Sequence, residues 1–129
     1  MILVDSSVWI DYFRGTTSDE ANRLDSMLDS ERIVVGDIIL AEVLRGFSVD
    51  KHFNDARRLL LRLEQTSLGG TELAVDAATK CRFLRARGIT VRGTVDALIA
   101  TYCMRHEVAL LTRDRDFLPF AEHFGLMLA

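Results

Sequence analysis

The sequence predicts an α/β fold with a mainly parallel sheet of about four or five strands. Short apolar runs at residues 2–4, 33–35 and 109–112 are typical of strands that are buried on both faces. Between these runs lie segments whose apolar residues recur with helical spacing. No repeat or linker interrupts the 129 residues, so we expect a single domain over residues 1–129.

Capping residues and apolar spacing predict the elements of the first half. Ser7 is a suitable N-cap for the first helix, and Gly15 is its stop signal. Ser18 begins an amphipathic second helix. Asp37 is expected to cap a third helix, which Gly46 ends. The predicted helices cover residues 7–14, 18–31, 37–44 and 50–65, and the predicted strands cover residues 2–4 and 33–35.

The second half continues the alternation of strands and helices. Leu68 is expected to close a short strand before a pair of glycines. Gly88 ends the next helix, and Thr94 begins the one after it. Pro119 lies near the start of the last helix, where proline is tolerated. The predicted helices cover residues 71–87, 94–106 and 117–124, and the predicted strands cover residues 109–112 and 126–128.

The composition is that of an ordinary globular protein. Hydrophobic residues make up 49% of the chain and charged residues 27%, which excludes a disordered chain. No apolar run approaches the roughly 20 residues of a membrane span, and the first residues lack the basic segment of a signal peptide. Cys81 and Cys103 lack metal-binding spacing, so we expect reduced thiols in a cytoplasmic protein. The net charge of -3 argues against an indiscriminate nucleic-acid binder.

Acidic residues stand where predicted strands end and where helices begin. Asp5 and Asp114 follow two apolar strands, and the carboxyl ends of parallel strands share one edge of the sheet. Asp96 lies in a first helical turn, where the helix dipole alone would explain an acid. Glu42 lies in a helix that is apolar on nearly all sides and should be half-buried, with Arg45 as a possible partner. Together the four acids are consistent with a convergent carboxylate cluster.

The order of these motifs resembles that of the PIN-domain ribonucleases, and most closely that of the VapC toxins of type II toxin–antitoxin systems. The opening MILVDSSVWIDYFRG is similar to the family's first strand, acid and helix, and LAEVLRG is similar to its glutamate helix. VDALIATYCMRH resembles the helix of the third acid, and LLTRDRDF resembles the final acidic loop. Residues 50–90 match only as generic helices. The resemblance implies a three-layer α/β/α fold.

The resemblance also implies which residues form the active site. At the matching positions, the catalytic acids would be Asp5, Glu42, Asp96 and Asp114. The three aspartates would be the primary metal ligands, whereas Glu42 would either bind metal or position the attacking water. Asp116 matches a position that is acidic in many members and is a further candidate ligand. Its alternative role is to cap the last helix.

Polar residues beside these acids would orient them or bind the substrate. Ser6 would orient Asp5 or a water molecule on the metal, and Thr112 would do likewise. Arg113 and Arg115 flank the last catalytic acid and are the candidate contacts to phosphate.

These residue types suit the hydrolysis of a phosphodiester. The reaction needs an activated water molecule and compensation for the negative charge of the transition state. Carboxylates hold the hard divalent cations that supply both. A site of oxygen ligands without histidine or cysteine favours Mg²⁺ or Mn²⁺, and the sequence leaves the number of ions open. Together with this chemistry, the resemblance implies the activity of a divalent-metal-dependent endoribonuclease.

Other functions fit parts of this pattern. A Mg²⁺-binding receiver domain also has aspartates at strand ends, but it needs a second early acid where this chain has Ser6 and Ser7. A phosphatase of the haloacid dehalogenase type needs an aspartate at the position of Ser7. A PIN nuclease that acts on DNA stays open, because no residue of this pattern reads a 2′-hydroxyl group. A binding module without activity would give no reason for a buried Glu42.

The resemblance finally implies partners. VapC-like toxins commonly form homodimers, so we expect a homodimer. A small cognate antitoxin would cover the active-site groove and insert a basic side chain among the acids, because a cation there replaces the charge of the metal. The apolar segments SVWIDYF and RRLLLRL are either contact surfaces for these partners or part of the core.

Overall fold

The computed structural model describes residues 1–129, which form four strands and seven α-helices. The strands are β1 (Ile2–Val4), β2 (Ile33–Gly36), β3 (Glu64–Thr66) and β4 (Ala109–Leu111). The helices are α1 (Ser6–Arg14), α2 (Asp19–Met27), α3 (Asp37–Leu44), α4 (Asp50–Leu61), α5 (Thr71–Ala86), α6 (Thr94–Arg105) and α7 (Leu118–Phe124), and a 3₁₀ turn covers Arg115–Phe117. None of these helices combines the length and the hydropathy needed to span a bilayer.

The strands form one parallel sheet in the order β3-β2-β1-β4. Leu3 of β1 pairs with Val34 on one side and with Leu110 on the other. The chain runs outward from β1 to β2 and β3 and then returns to the other side of β1. The strand order therefore reverses between β1 and β4, and in open parallel sheets ligands bind at such a reversal, outside the carboxyl ends of the strands.

The central strands are buried because they are apolar on both faces. Six side chains of β1, β2 and β4 are no more than 1% exposed, namely Leu3, Val4, Val34, Val35, Leu110 and Leu111. Helix α1 packs against α2 and α3, and α5 packs against α6. The predicted α/β/α fold with a parallel sheet is confirmed.

Strand β3 differs from the prediction, which extends the fourth helix to residue 65. Helix α4 ends at Leu61, and residues 64–66 pair with β2 at the edge of the sheet. Glu64 and Gln65 of this strand are exposed, and Glu64 forms a bidentate ion pair with Arg32, with both N···O distances 2.7 Å. A polar edge strand is held by backbone hydrogen bonds rather than by apolar side chains, so the hydrophobic pattern does not reveal it.

The predicted fifth strand at residues 126–128 is reduced to a single parallel bridge between Leu110 and Leu128. The Leu110 N–H donates to the Met127 carbonyl oxygen at 2.9 Å, and the Ala129 N–H donates to the Leu110 carbonyl oxygen at 2.8 Å. These contacts bind the segment to β4 without extending the ladder. The sheet therefore has four strands.

Asp37 and Leu68 also have roles other than those predicted. Gly36 is the N-cap of α3, and Asp37 is the first residue of that helix. The Oδ1 atom of Asp37 accepts the N–H groups of Ile38 at 2.8 Å and of Leu68 at 2.9 Å. Leu68 thus lies in a loop that is fastened to the start of α3, rather than in a strand.

Gly36→Ala should destabilise the fold. A Cβ atom on Gly36 would lie 2.3 Å from Cδ1 and 2.6 Å from Cγ of Leu68, which is only 4% exposed. Forcing a packed side chain aside typically costs about 1–3 kcal/mol. Urea unfolding would measure the loss. Gly46→Ala is the matched control, because its Cβ would meet only the Val43 carbonyl oxygen, at 3.5 Å. Equal stabilities of the two variants would show that Leu68 moves aside at no cost.

Candidate active site

Asp5 is held at the carboxyl end of β1 by the sheet and by α1. Its N–H donates to the Leu111 carbonyl oxygen at 2.9 Å, which continues the pairing of β1 with β4. Its own carbonyl oxygen accepts the N–H groups of Val8 at 3.1 Å and of Trp9 at 3.3 Å, in the first turn of α1. The residue is 4% exposed, so its carboxylate lies under the surface of the site.

Two hydroxyl groups from distant parts of the chain orient this carboxylate. Ser7 Oγ donates to Asp5 Oδ2 at 2.8 Å, and Thr112 Oγ1 donates to the same oxygen at 3.0 Å. The role predicted for Thr112 agrees with this geometry. The α1 side chain that reaches Asp5 is that of Ser7, whereas a backbone hydrogen bond from Ser6 lowers the pKa of Asp5; the role predicted for Ser6 toward a water molecule on the metal stays a prediction. The Ser6 hydroxyl instead favours the charged form of Glu42 and so lowers the pKa of that carboxyl.

Asp114 and Asp116 lie on the loop that follows β4, which we call the acidic loop (residues 112–116). Thr112 Oγ1 accepts the Asp114 N–H at 3.0 Å, and Asp114 Oδ1 accepts the Asp116 N–H at 2.9 Å. Asp114 is therefore the residue that caps the 3₁₀ turn. Asp116 does not cap the last helix, because α7 has no side-chain cap. The alternative role of Asp116 as a helix cap is thus wrong.

Asp96 joins the acids of this loop. Helix α6 begins at Thr94 with Gly93 as its N-cap, and Asp96 lies in the first turn, as expected. Carboxylate oxygens of Asp96, Asp114 and Asp116 lie within 4.8 Å of one another. The helix dipole would explain a single acid at this position, but it does not explain two further carboxylates from another element.

Glu42 is half-buried in α3, as its apolar neighbours predict. Arg45 is exposed and forms no ion pair with it, although its charge lowers the pKa of Glu42. The negative charge of Asp5 acts on Glu42 in the opposite direction, and Glu42 in turn acts on Asp96. All four predicted catalytic acids, together with Asp116, therefore belong to one electrostatic cluster.

Burial and mutual repulsion raise the pKa of three acids in this cluster. For Asp5, burial is the largest cause, and the hydroxyl hydrogen bonds oppose it. For Glu42, burial comes first and the charge of Asp5 second. For Asp96, burial and then the charges of the other four acids raise the pKa to about 6. None of these three acids forms an ion pair within the chain.

The two arginines of the acidic loop have different surroundings. The Nη1 atom of Arg113 forms an ion pair with Oδ2 of Asp11, a buried residue of α1. The Arg113 backbone N–H donates to Ser7 Oγ at 3.4 Å. Arg115 is exposed and makes no ion pair within the chain. Of the two arginines predicted to contact phosphate, only Arg115 has an unoccupied guanidinium group.

Ser7 and Asp11 belong to the site, although the sequence patterns did not reveal them. The available signal is their spacing, since residues four apart lie on the same face of a helix. Ser7 lies two positions after Asp5, and Asp11 lies one helical turn after Ser7. Because α1 starts directly after Asp5, it places the side chains of Ser7 and Asp11 near the end of β4.

The chain matches the sequence profile of the PIN domain over residues 2–122. It is 35% identical, over an alignment of 131 residues, to the VapC ribonuclease Mb1587 of Mycobacterium bovis, and the alignment covers 100% of this chain and 98% of that protein. The same values hold for Ribonuclease VapC11 of Mycobacterium tuberculosis.

Solved structures share this fold at low sequence identity. VapBC2 from Rickettsia felis, bound to a DNA fragment from its promoter, has a TM-score of 0.74 at 19% identity and covers 100% of this chain and 98% of its own. Mycobacterium tuberculosis VapC20, a Sarcin-Ricin loop cleaving toxin, has a TM-score of 0.69 at 17% identity and covers 92% and 94%.

Asp96→Asn should stabilise the metal-free protein near neutral pH. A raised carboxyl pKa means that the folded state binds the proton more tightly than the unfolded chain does. The contribution of Asp96 to stability is therefore fully present below its unfolded pKa of 3.8 and is lost as the pH rises through about 6. The amide removes this loss, so in EDTA at about pH 7.5 the variant should melt at a higher temperature than the wild type, with a smaller difference at about pH 5.

Divalent metal should reverse the order. A cation that binds only the folded state stabilises it by roughly 2.7 kcal/mol at a hundredfold excess over its Kd, and Asp96→Asn should gain less than the wild type. Asp19→Asn, in the first turn of α2, is the matched control and should be slightly destabilised under all these conditions. A loss of stability by Asp96→Asn in EDTA at both pH values would make Asp96 a helix-start residue only.

Proposed function

The chain belongs to the PIN-domain family, and on this basis we propose that it is a divalent-metal-dependent endoribonuclease, the toxin of a VapBC-type toxin–antitoxin module. The observation that carries the proposal is the convergence of carboxylates outside the carboxyl ends of the strands. They come from the end of β1, from α3, from α6 and from the acidic loop. Full-length similarity to ribonucleases favours RNA as the substrate over the receiver-like and DNA-cleaving alternatives.

The donor set fits a hard divalent cation such as Mg²⁺ or Mn²⁺. Its ligands are carboxylate oxygens, and none of the five acids forms an ion pair within the chain, so a cation would supply the missing charge. Asp96, Asp114 and Asp116 would hold it, since their oxygens already lie within 4.8 Å of one another. Asp5 would contribute Oδ1, because both hydroxyl groups bind its Oδ2 atom.

Each side chain would then have a defined task in phosphodiester hydrolysis. When bound, the cation would lower the pKa of a water molecule and compensate the negative charge that develops on the phosphate. Ser7 and Thr112 would keep Asp5 in one orientation throughout. Glu42 would position the attacking water and accept its proton, because a raised pKa makes this carboxylate a better base near neutral pH. Arg115 would bind a phosphate of the RNA.

The proposal extends to partners and location. A small cognate antitoxin would cover the active-site groove, and a cation from that antitoxin would compensate the acids in place of the metal. The VapBC2 complex, which shares this fold, supports such a partner. We further propose a homodimer that acts in the cytoplasm, where its RNA substrate would be found.

Asp5→Asn, Asp96→Asn and Asp114→Asn should each slow Mg²⁺-dependent RNA cleavage at least about a hundredfold, because losing a metal ligand removes several kcal/mol of transition-state stabilisation. Asp116→Asn should have a smaller effect, since its carboxylate is exposed. Labelled RNA and gel electrophoresis would measure the rates, with circular dichroism to check folding.

Two comparisons complete this experiment. Asp19→Asn removes an acid outside the cluster and should cleave RNA at the wild-type rate. EDTA should stop cleavage by the wild type and by Asp19→Asn alike. Labelled DNA of the same sequence should stay intact, and cleavage of DNA alone would favour the DNA-acting alternative. Wild-type rates for Asp96→Asn would contradict the site assignment.

Arg115→Gln should weaken RNA binding and make it less sensitive to salt. Each phosphate contact releases a counterion, so losing one should reduce the slope of log K against log salt by about 0.7 for a single strand. Fluorescence anisotropy in the cleavage-deficient Asp96→Asn background would measure it. Arg62→Gln is the matched control, because Arg62 precedes β3 at the opposite edge of the sheet. An unchanged slope for Arg115→Gln would make it a solvated loop residue.

A further inference from the structure

We infer that the ion pair between Asp11 and Arg113 positions the acidic loop for metal binding. The inference rests on the proposed metal-dependent function and assigns Asp11 and Arg113 as positioning residues, which act through Asp114 and Asp116 without touching metal or substrate.

Burial makes Asp11 a firm attachment point. It is 7% exposed and is one of three buried polar or charged residues, together with Asp5 and Thr101. A buried carboxylate is unfavourable unless it is paired, and Arg113 is the cation that pairs with it. The same pairing raises the pKa of Arg113. Moving Arg113 away would remove the one cation that pairs with the Asp11 carboxylate.

Helix α1 holds Arg113 by both its main chain and its side chain. Ser7 and Asp11 lie one turn apart on the same face of α1. Ser7 Oγ accepts the Arg113 N–H at 3.4 Å, and Asp11 accepts from the guanidinium group. Because Ser7 also donates to Asp5, these contacts tie the loop to the same helix face that orients the buried acid.

The position of Arg113 in the chain transmits this attachment to the acids. Arg113 lies between Thr112, which bonds to Asp5, and Asp114, whose N–H returns to Thr112. The charges of Asp114 and Asp116 repel that of Asp96, and this repulsion favours an outward movement of the loop. The ion pair opposes that movement, so the carboxylates of Asp96, Asp114 and Asp116 stay close to one another in the metal-free protein.

The sign of one measurement separates positioning from simple electrostatics. Arg113→Gln removes a positive charge close to a cation site, so charge alone predicts tighter binding of a divalent metal. Loss of the attachment predicts weaker binding, since the cation would have to gather the carboxylates itself. Asp11→Asn leaves an unpaired arginine, so charge and attachment alike predict weaker metal binding for that variant. Arg113→Gln is therefore the decisive variant.

The experiment is isothermal titration of the full-length, RNA-free protein with MnCl₂. Arg113→Gln should bind Mn²⁺ about tenfold more weakly than the wild type, in line with other groups that orient metal ligands. Adding Asp11→Asn should cause no further loss, because the two residues act as a unit. Arg113→Lys should be intermediate, as lysine keeps the charge but not the planar fork. Arg115→Gln, with the same charge change on the same loop, should bind at least as tightly as the wild type.

RNA cleavage at high Mn²⁺ concentration and the outcome of the Mn²⁺ titration test the positioning role. RNA cleavage by Arg113→Gln should recover at high Mn²⁺ concentration, which loss of a substrate contact would not allow. Wild-type or tighter Mn²⁺ binding by Arg113→Gln, beside normal binding by the wild type, would overturn the positioning role and leave the proposed function intact. Failure of the wild type itself to bind Mn²⁺ would overturn both. If Arg113→Gln does not fold, Arg113→Lys decides by the same criterion.

Discussion

The buried carboxylate of Asp5 requires hydrogen-bond donors, and the elements that supply them are the ones that build the rest of the site. Ser7 comes from α1 and Thr112 from the end of β4, so a single carboxylate joins the start of the chain to a loop more than 100 residues away. Hydrogen bonds to a charged group contribute about 1.5–3 kcal/mol each, and losing a donor leaves a buried charge unsatisfied. The register between β1 and β4 and the position of the acidic loop are therefore coupled.

The acidic cluster concentrates negative charge that no cation of the chain pairs with. Several acids outside the cluster have such partners, as Asp76 has in Lys80 and Glu64 in Arg32. Of the two arginines of the acidic loop, Arg113 is bound to Asp11 and not to the clustered acids. The fold thus keeps repulsion that neutralising a single acid would relieve. Repulsion of this kind lowers the stability of the folded state, and it is characteristic of functional sites, where a ligand supplies the missing interaction.

The fold could be predicted from the sequence wherever burial determined the residue types. The central strands are apolar on both faces, and short apolar runs between amphipathic helices are typical of buried parallel strands. The two outer segments of the sheet were predicted less accurately, since the short strand expected to close at Leu68 lies at Glu64–Thr66 and the strand expected at 126–128 is a single bridge. Glu64–Thr66 and the segment around Leu128 are held by backbone pairing to β2 and β4, and backbone groups are the same in every residue.

The amino-acid sequence by itself placed Asp5 and Asp114 at the carboxyl end of the sheet, because each follows an apolar strand, whereas Glu42, Asp96 and Asp116 were assigned to the site by the resemblance to PIN-domain ribonucleases. The folded chain was needed to show that the Ser7 hydroxyl group binds the Asp5 carboxylate, and that Asp11 holds Arg113. Each residue along a helix turns the side chain by about 100°, so a helix that starts one residue earlier presents a different set of side chains. Partners more than 100 residues apart meet only because β1 and β4 are neighbours, and no local pattern records that adjacency.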